Sequence, residues 1–151
     1  MGYTHYWRFQ KTNQKAAVVE AEYQRAVKDI AKLVKFAKKH IVNLSGYTAH
    51  TKIGQYGGIE FNGVGNGGHE NFYLREHFNQ NFDDGSGFNF CKTAAKPYDI
   101  VVTAALSVLK YRLKDNIVVT SDGYRREWQD GVELARKVLN RKIPNPIEEM
   151  D

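Results

Sequence analysis

Apolar and polar residues follow two different periods along this chain. Between residues 17 and 39, apolar side chains recur every three or four positions, which predicts an amphipathic α-helix with most of its lysines in solvent. Residues 3–9, YTHYWRF, alternate with a period of two and are rich in aromatic rings, which predicts a β-strand. His5 shares a face of that strand with Trp7 and Phe9, so we expect it to pack among aromatic rings and not to bind a ligand.

A second set of alternating segments follows the first helix. Residues 58–64 and 70–78 each alternate with a period of two, so residues 47–78 are predicted to form a β-meander. The glycine-rich stretch 63–70 lies between these segments and is typical of a hairpin connection with positive φ angles. It lacks the Gly-Lys-Ser/Thr ending of a phosphate loop and precedes a strand, so we do not interpret it as one.

The last third of the chain contains the most apolar segment. Residues 97–115 are apolar on nearly all sides, which predicts a central, buried helix. Residues 116–120, NIVVT, are a short β-branched run and predict a buried strand. A final helix is predicted over 131–142, where Asp130 and Glu133 resemble a capping box.

Together these segments predict one α+β domain over residues 1–151, with a mainly antiparallel sheet covered by about three helices, 17–39, 97–115 and 131–142. The composition agrees, because 42% of the 151 residues are hydrophobic and one domain of this length can bury a core. The apolar runs are too short to span a bilayer, and the start MGYTHYW lacks the apolar segment of a signal peptide. The single cysteine cannot form an internal disulfide. We therefore expect a cytoplasmic protein with no membrane partner.

Charge gives the first indication of a partner. The chain carries 22 Lys and Arg against 17 Asp and Glu, a formal net charge of +5, which favours an anionic partner. Many of these cations lie on the predicted helix 17–39, where a solvated helix face is the simpler interpretation.

A candidate anion site lies where the loop 91–96 enters the helix 97–115. Backbone N–H groups at a helix N-terminus have no partners within the helix and attract anions. Asp99 falls in the first turn of that helix, where its charge suits the helix dipole. The groups expected to hold the anion are these N–H groups with Lys92, Thr93 and Lys96.

Chain geometry is expected to bring a second loop to the same place. The helix 97–115 spans about 27 Å, and the strand 116–120 returns about 17 Å of that length. Residues 121–123 should therefore lie near residues 91–96 and share a pocket with them. There Asp122 would bond a ligand hydroxyl or base edge, and an Asx turn is the structural alternative for it. The predicted ligand-binding residues are Lys92, Thr93, Lys96, Tyr98, Asp99, Ser121, Asp122 and Trp128, with Tyr98 or Trp128 as stacking rings.

Two motifs in this region carry a resemblance. The stretches FCKTAAKPYDIVV and SDGYRREWQDGVEL resemble an uncharacterised family of small proteins from bacteriophages, bacteria and fungi. The matching positions are Phe90–Ala94, Lys96–Asp99, Ser121–Gly123, Trp128 and Gly131. The resemblance implies a phage or bacterial accessory role, in the host cytoplasm if the protein is phage-encoded, and it names no reaction.

The sequence leaves several functions open. The main hypothesis is an anti-defence accessory protein that sequesters or processes a small anionic, nucleotide-like ligand. The alternatives are a nucleic-acid-binding protein, a metal-dependent nuclease and a protein–protein inhibitor or adaptor of a host system. A nuclease would need convergent acids and imidazoles, and a thiol enzyme would need a base for Cys91 at His69 or His77. No HxxxH or CxxC spacing occurs, so we assign no metal site, no catalytic residue and no cofactor. The acids and imidazole considered for a metal are Glu60, His69, Glu70, Asp99 and Asp122.

Overall fold

The computed structural model describes residues 3–48 and 58–148. Within these ranges the chain forms six strands and three α-helices, so the predicted α+β class with three helices is confirmed. In chain order the elements are β1 (Thr4–Phe9), α1 (Ala16–His40), β2 (Leu44–Thr48), β3 (Ile59–Gly63), β4 (Phe72–Leu74), β5 (Phe88–Lys92), α2 (Asp99–Leu113), β6 (Ile117–Ser121) and α3 (Arg125–Leu139).

The first sheet has the order β5-β1-β6, with both neighbours antiparallel to β1. Because side chains alternate along a strand, β1 turns His5, Trp7 and Phe9 to the buried face. Tyr6 and Arg8 point to the opposite face, where they are half-buried and exposed. The strand predicted over residues 3–9 is therefore confirmed, and it lies at the centre of its sheet.

The second sheet is an antiparallel meander with the order β2-β3-β4. It confirms the meander predicted over 47–78 where the structure describes that segment, while residues 49–57 lie outside the described ranges. Phe72 of β4 joins the two sheets, since its ring stacks on Trp7 at 5.3 Å and lies 5.0 Å from Phe61. The strands thus form two sheets where the sequence predicts one: β1 takes β5 and β6 as its neighbours, and the strands of the meander pair among themselves.

Helix α2 is the centre of the core. Its residues 101–109 are all buried, with Leu106 and Leu109 fully so, which confirms the central helix predicted over 97–115. Helix α3 crosses α2 closely at Gly131, where a Cβ atom would collide with the Thr103 hydroxyl. On the other side, Arg112 at the end of α2 forms an ion pair with Asp29 of α1 at 2.9 Å.

Three sequence predictions need correction in this region. Helix α3 begins at Arg125 and not at residue 131, because Glu127 accepts the backbone N–H of Tyr124 at 2.8 Å and so stabilises an earlier first turn. Residues 88–92, for which the sequence predicts no strand, form β5. The run 116–120 belongs to an edge strand of its sheet, and Val118 is 44% exposed.

The length and polarity of the helices bear on membranes. Among the described residues, none of the helices combines the length and the apolar character that crossing a bilayer requires.

Candidate functional site

His5 lies between two polar side chains that come from the far part of the sequence. The Ser121 hydroxyl lies 2.7 Å from its Nδ1 atom, and Asp99 Oδ1 lies 2.6 Å from its Nε2 atom. The Thr93 hydroxyl donates to the same Asp99 oxygen at 2.6 Å. These contacts form one hydrogen-bond network, which joins β6, β1, the start of α2 and the loop before α2. Its members are Ser121, His5, Asp99 and Thr93.

One placement of the hydrogen atoms satisfies every donor and acceptor in this network. With hydrogen on Nε2 alone, the His5 ring donates to the Asp99 carboxylate and accepts from the Ser121 hydroxyl. The Ser121 oxygen in turn accepts the backbone N–H of Gly123 at 2.8 Å. The ring is fully buried, with Tyr3 and Trp128 edge-on at 5.1 and 4.9 Å. The expectation that His5 packs among aromatic rings is confirmed.

Serine, histidine and aspartate in contact also form the triad of many hydrolases. A hydrolase needs free N–H donors beside the serine to stabilise an oxyanion. The three backbone N–H groups after Ser121 are already engaged: Asp122 donates to Thr4 O at 3.0 Å, Gly123 to Ser121 Oγ and Tyr124 to Glu127. We therefore interpret the network as a set of structural hydrogen bonds that hold these elements together.

The loop 91–96 uses most of its own donors within the fold. The N–H groups of Thr93 and Ala94 both donate to Tyr3 O, and those of Lys96 and Asp99 donate to carbonyl groups of the turn. The Asp99 carboxylate accepts the Thr93 hydroxyl that the sequence assigns to a ligand. The two lysines, Lys92 and Lys96, are half-buried. The predicted anion site thus loses these four N–H groups and the Thr93 hydroxyl, and it keeps the two lysine side chains.

Both rings predicted to stack on a ligand are buried. Tyr98 and Trp128 are fully buried, and the Tyr98 hydroxyl donates to the carbonyl of Glu70. They form part of the core and present no face to a ligand in this structure. The Trp128 indole N–H has no hydrogen-bond partner among the described residues.

Cys91 is also fully buried, and burial raises the pKa of its thiol to about 12. A thiol acts as a nucleophile in its ionised form, and this one is protonated at neutral pH. The hydrogen-bond partners of the Cys91 thiol are the Glu70 carbonyl and the Tyr98 hydroxyl and not an imidazole, and the His77 ring bonds Glu20 at 2.7 Å. These positions give no support to the thiol hypothesis.

The acids considered for a metal lie in separate places. Glu60 accepts from Asn71 at 3.2 Å, Glu70 from the Lys92 N–H at 2.7 Å, and Asp122 from the Thr4 N–H at 3.1 Å. Within residues 3–48 and 58–148, no group of three or more ligating side chains could hold a metal ion. The metal-dependent nuclease therefore gains no support from the described residues.

The two predicted loops do meet, around the beginning of β1. Asp122 exchanges two bonds with Thr4, one through its backbone N–H and one through its carboxylate. Lys92 is paired with Thr4 from the other side. The short turn that was the alternative for Asp122 is made by Ser121 instead, through its bond with Gly123.

A cavity of about 730 Å³ opens along the free edge of β6. It lies between that edge, the start of α3 and residues 146–148, so it includes the second loop but not residues 91–96. Its lining residues are Lys110, Val118, Val119, Thr120, Ser121, Asp122, Gly123, Tyr124, Arg125, Arg126, Pro146, Ile147 and Glu148. The prediction that both loops line one pocket is therefore wrong for residues 91–96. Residues 121–123 do line this cavity, together with the start of α3 and residues 146–148.

Three cations line this cavity. The Lys110 ammonium donates to the carbonyls of Lys114 and Ile117, and Arg125 donates to the carbonyl of Ile147 at 2.6 Å. Arg126 lies over the Tyr124 ring at 4.9 Å. Within the described residues, no carboxylate comes close enough to form an ion pair with any of the three. The carboxylates of Asp122 and Glu148 also line the cavity, so its side chains carry three positive charges against two negative ones, which leaves a small positive excess for an anionic ligand.

Sequence reasoning missed parts of this arrangement for identifiable reasons. Lys110 is one of many helical lysines, and only the return of β6 along α2 brings it to the cavity. His5 and Ser121 are 116 residues apart, and the pairing of β1 with β6 is what joins them. No local sequence signal marks either relationship.

Comparison with known proteins assigns no function to this site. The chain matches no family model, no curated protein and no solved structure.

Proposed function

We propose that this protein binds a small anionic, nucleotide-like ligand in the cavity along the free edge of β6. The observation that carries the proposal is the presence of Lys110, Arg125 and Arg126 in one cavity with no ion-pair partner among the described residues. Guanidinium groups bind phosphate through paired N–H donors, and they are less strongly hydrated than an ammonium group.

The other walls suit the remainder of a nucleotide. Tyr124 is 57% exposed and offers a ring beside the cations, in place of the buried Trp128. Asp122, at the end of β6, is positioned to accept a hydrogen bond from a sugar hydroxyl or a base. The volume of about 730 Å³ falls within the range of cavities that hold small molecules. An accessory protein that sequesters or processes a nucleotide agrees with these features.

A thermal-shift experiment tests the proposal. The probes are inorganic phosphate and a panel of nucleoside mono-, di- and triphosphates. A ligand present at 100 times its Kd stabilises the folded state by about 2.7 kcal/mol, which is readily measured. We expect at least one nucleotide to raise Tm and inorganic phosphate to do so less, because phosphate alone does not use Tyr124 or Asp122.

A matched pair of variants locates the binding site. Arg126→Gln removes a cation of the cavity, while Arg141→Gln removes an exposed cation beyond the other end of α3, about 22 Å away. We expect Arg126→Gln to weaken nucleotide binding by roughly 10-fold or more, since a charged hydrogen bond contributes about 1.5–3 kcal/mol. Arg141→Gln should bind as the unchanged protein does. Equal binding by both variants, or no stabilisation by any nucleotide, contradicts the proposal.

Sequestration and processing are distinguished by following the ligand. The nucleotide that raises Tm is incubated with the protein and then separated by chromatography. An unchanged nucleotide indicates sequestration, and a new product that Arg126→Gln fails to form indicates processing.

A further inference from the structure

The outer face of the β5-β1-β6 sheet is an exposed aromatic surface. Its inner face is buried among the helices, while three large apolar side chains remain exposed on the outer one. Phe90 is 56% exposed, Phe88 37% and Val118 44%. We call the set Tyr6, Arg8, Phe88, Phe90 and Val118 the aromatic face. Exposed apolar clusters of this kind mark interaction sites, since solvent alone does not favour them.

The rings of this face pack against one another. Tyr6 of the central strand is paired with Phe90 of β5, and Arg8 with Phe88. The ring centroids of Tyr6 and Phe88 lie 6.3 Å apart with 24° between the planes, and those of Phe88 and Phe90 lie 6.1 Å apart with 34°. The Arg8 guanidinium lies over the Phe88 ring at 5.1 Å. Three similarly inclined rings with a cation among them form a stacking platform.

Charge selects the kind of partner. The chain has a formal net charge of +5, and Arg8 puts one cation on the platform itself. The cavity continues this surface, because Val118 and Thr120 of β6 line the cavity and point to the same side of the sheet as Arg8 and Tyr6. Beyond them lie the three cavity cations. Aromatic rings with cations nearby complement unpaired bases on a phosphate backbone, where every base offers a π-face.

We propose that the aromatic face binds single-stranded nucleic acid, with bases stacked on Tyr6, Phe88 and Phe90. The phosphates lie along Arg8 and the cations of the neighbouring cavity, so this half of the inference rests on the proposed nucleotide site. The ligand of that site is then one nucleotide of a longer strand. A duplex is a poor ligand, because its bases are already stacked on one another.

Fluorescence anisotropy with labelled oligonucleotides tests this inference on the full chain. The probes are oligo-dT, oligo-rU and a DNA duplex, each of about twelve nucleotides per strand, within the range of single-strand site sizes. We expect one or both single strands to bind more tightly than the duplex, and the two probes show whether the sugar matters. Equal or tighter binding of the duplex overturns the inference.

Substitution of the rings gives the sharper comparison. Phe88→Ala and Phe90→Ala should each weaken single-strand binding roughly 5- to 150-fold, the measured range for removal of one stacked base. Tyr73→Ala is the matched control, since Tyr73 is an exposed aromatic residue on β4 of the other sheet. Phe90 is 56% exposed, so Phe90→Ala should keep the Tm of the unchanged protein, whereas Phe88 is 37% exposed and packs against Tyr6, so the affinity of Phe88→Ala is compared at a temperature well below its own Tm. Full affinity in a folded Phe88→Ala/Phe90→Ala double variant overturns the inference.

Salt dependence separates stacking from binding to phosphate. For a single strand, the slope of log K against log salt falls by about 0.7 for each phosphate that the protein no longer neutralises. Arg126→Gln should change the slope by that amount, while Phe90→Ala should lower affinity and leave the slope unchanged. A slope change with Phe90→Ala, equal to that with Arg126→Gln, contradicts a stacking role for the ring.

The experiments distinguish failure of this inference from failure of the proposed function. If Arg126→Gln weakens mononucleotide binding but Phe88→Ala and Phe90→Ala do not weaken oligonucleotide binding, the cavity site is supported and the stacking role of the aromatic face is rejected. If the phenylalanine variants weaken oligonucleotide binding but Arg126→Gln weakens neither oligonucleotide nor mononucleotide binding, the aromatic face is supported and the cavity site is rejected. Sedimentation of the protein alone tests the alternative that the aromatic face binds a second copy of the chain. A dimer that the Phe88→Ala/Phe90→Ala double variant converts to a monomer would show this, and would overturn the inference.

Discussion

The Nε2 atom of His5 lies 2.6 Å from Oδ1 of Asp99, and this contact joins the central strand of the first sheet to the start of the most buried helix. His5 is fully buried, so its ring nitrogens depend on protein partners for their hydrogen bonds. The same carboxylate also accepts the Thr93 hydroxyl. Asp99 is therefore the residue on which two buried donors depend.

Removal of this carboxylate should destabilise the fold. Asp99→Ala leaves the donors of His5 and Thr93 without their acceptor, and each unsatisfied buried group costs about 1–3 kcal/mol. We expect the free energy of unfolding to fall by about 2–5 kcal/mol, measured by urea denaturation. Asp130→Ala, which removes an exposed carboxylate from α3, is the control and should change stability little. A small effect of Asp99→Ala would show that water replaces the carboxylate.

The second prediction concerns the core of α2. Leu106→Ala and Leu109→Ala each remove a fully buried side chain and leave a cavity, which typically costs about 2–5 kcal/mol. Val118→Ala provides the comparison, because Val118 is 44% exposed. Chemical denaturation should give a destabilisation several-fold larger for the leucines. Similar destabilisation at all three positions would contradict the central place of α2.

The third prediction concerns alkaline pH. Burial raises the pKa of Cys91 from an ordinary value of 9.0 to about 12, and burial also raises the pKa of Tyr98. The folded state therefore holds protons that the unfolded chain releases, so stability is full below about pH 9 and declines as pH rises toward about 12. Urea denaturation at about pH 7 and about pH 10.5 measures the decline.

A variant isolates the contribution of the thiol. Cys91→Ala removes the titrating group, so its stability should decline less between the two pH values than that of the unchanged protein. A thiol reagent at about pH 8 should react slowly with the folded protein and quickly in urea, because the thiol is buried. Rapid reaction without denaturant would show that β5 opens readily.

The fourth prediction separates binding from folding at Asp122. The Asp122 carboxylate accepts the Thr4 N–H at 3.1 Å, and the side-chain oxygen of asparagine can accept the same bond. Asp122→Asn should therefore keep Tm nearly unchanged. If the carboxylate contacts a ligand hydroxyl in the neighbouring cavity, nucleotide binding should weaken while folding does not. A parallel decrease in both would assign Asp122 to the fold alone.

Sequence periodicity is sufficient to locate helices whose own residues show a strong apolar pattern. The stripe of α1 and the fully apolar α2 are visible without any partner, and the sequence locates both within a few residues. It misplaces the start of α3 because Trp128 is followed by polar residues, so the first turn lacks a clear stripe. It misses strand β5 because Phe88 and Phe90 point to solvent, which contradicts the usual rule that aromatic residues are buried.

The site shows a similar division. Helix and strand lengths correctly bring the loops 91–96 and 121–123 toward one end of the fold, where both flank Thr4. Distances along the chain axis do not determine which way a side chain points. Tyr98 and Trp128 therefore lie in the core, and Thr93 bonds to Asp99 instead of remaining open to a ligand.

The position of β1 at the centre of its sheet has a consequence for synthesis of the chain. A ribosome releases β1 before the other elements of the domain, yet the strands that pair with it come only after α1 and the whole second sheet. Ser121 follows His5 by 116 residues, so the nascent chain carries Trp7 and Phe9 without their sheet until most of the domain has emerged. Closure over such a sequence separation is slow compared with local helix formation. We expect α1 to form early and the first sheet to be completed last, which makes β1 a segment that chaperones would meet during synthesis.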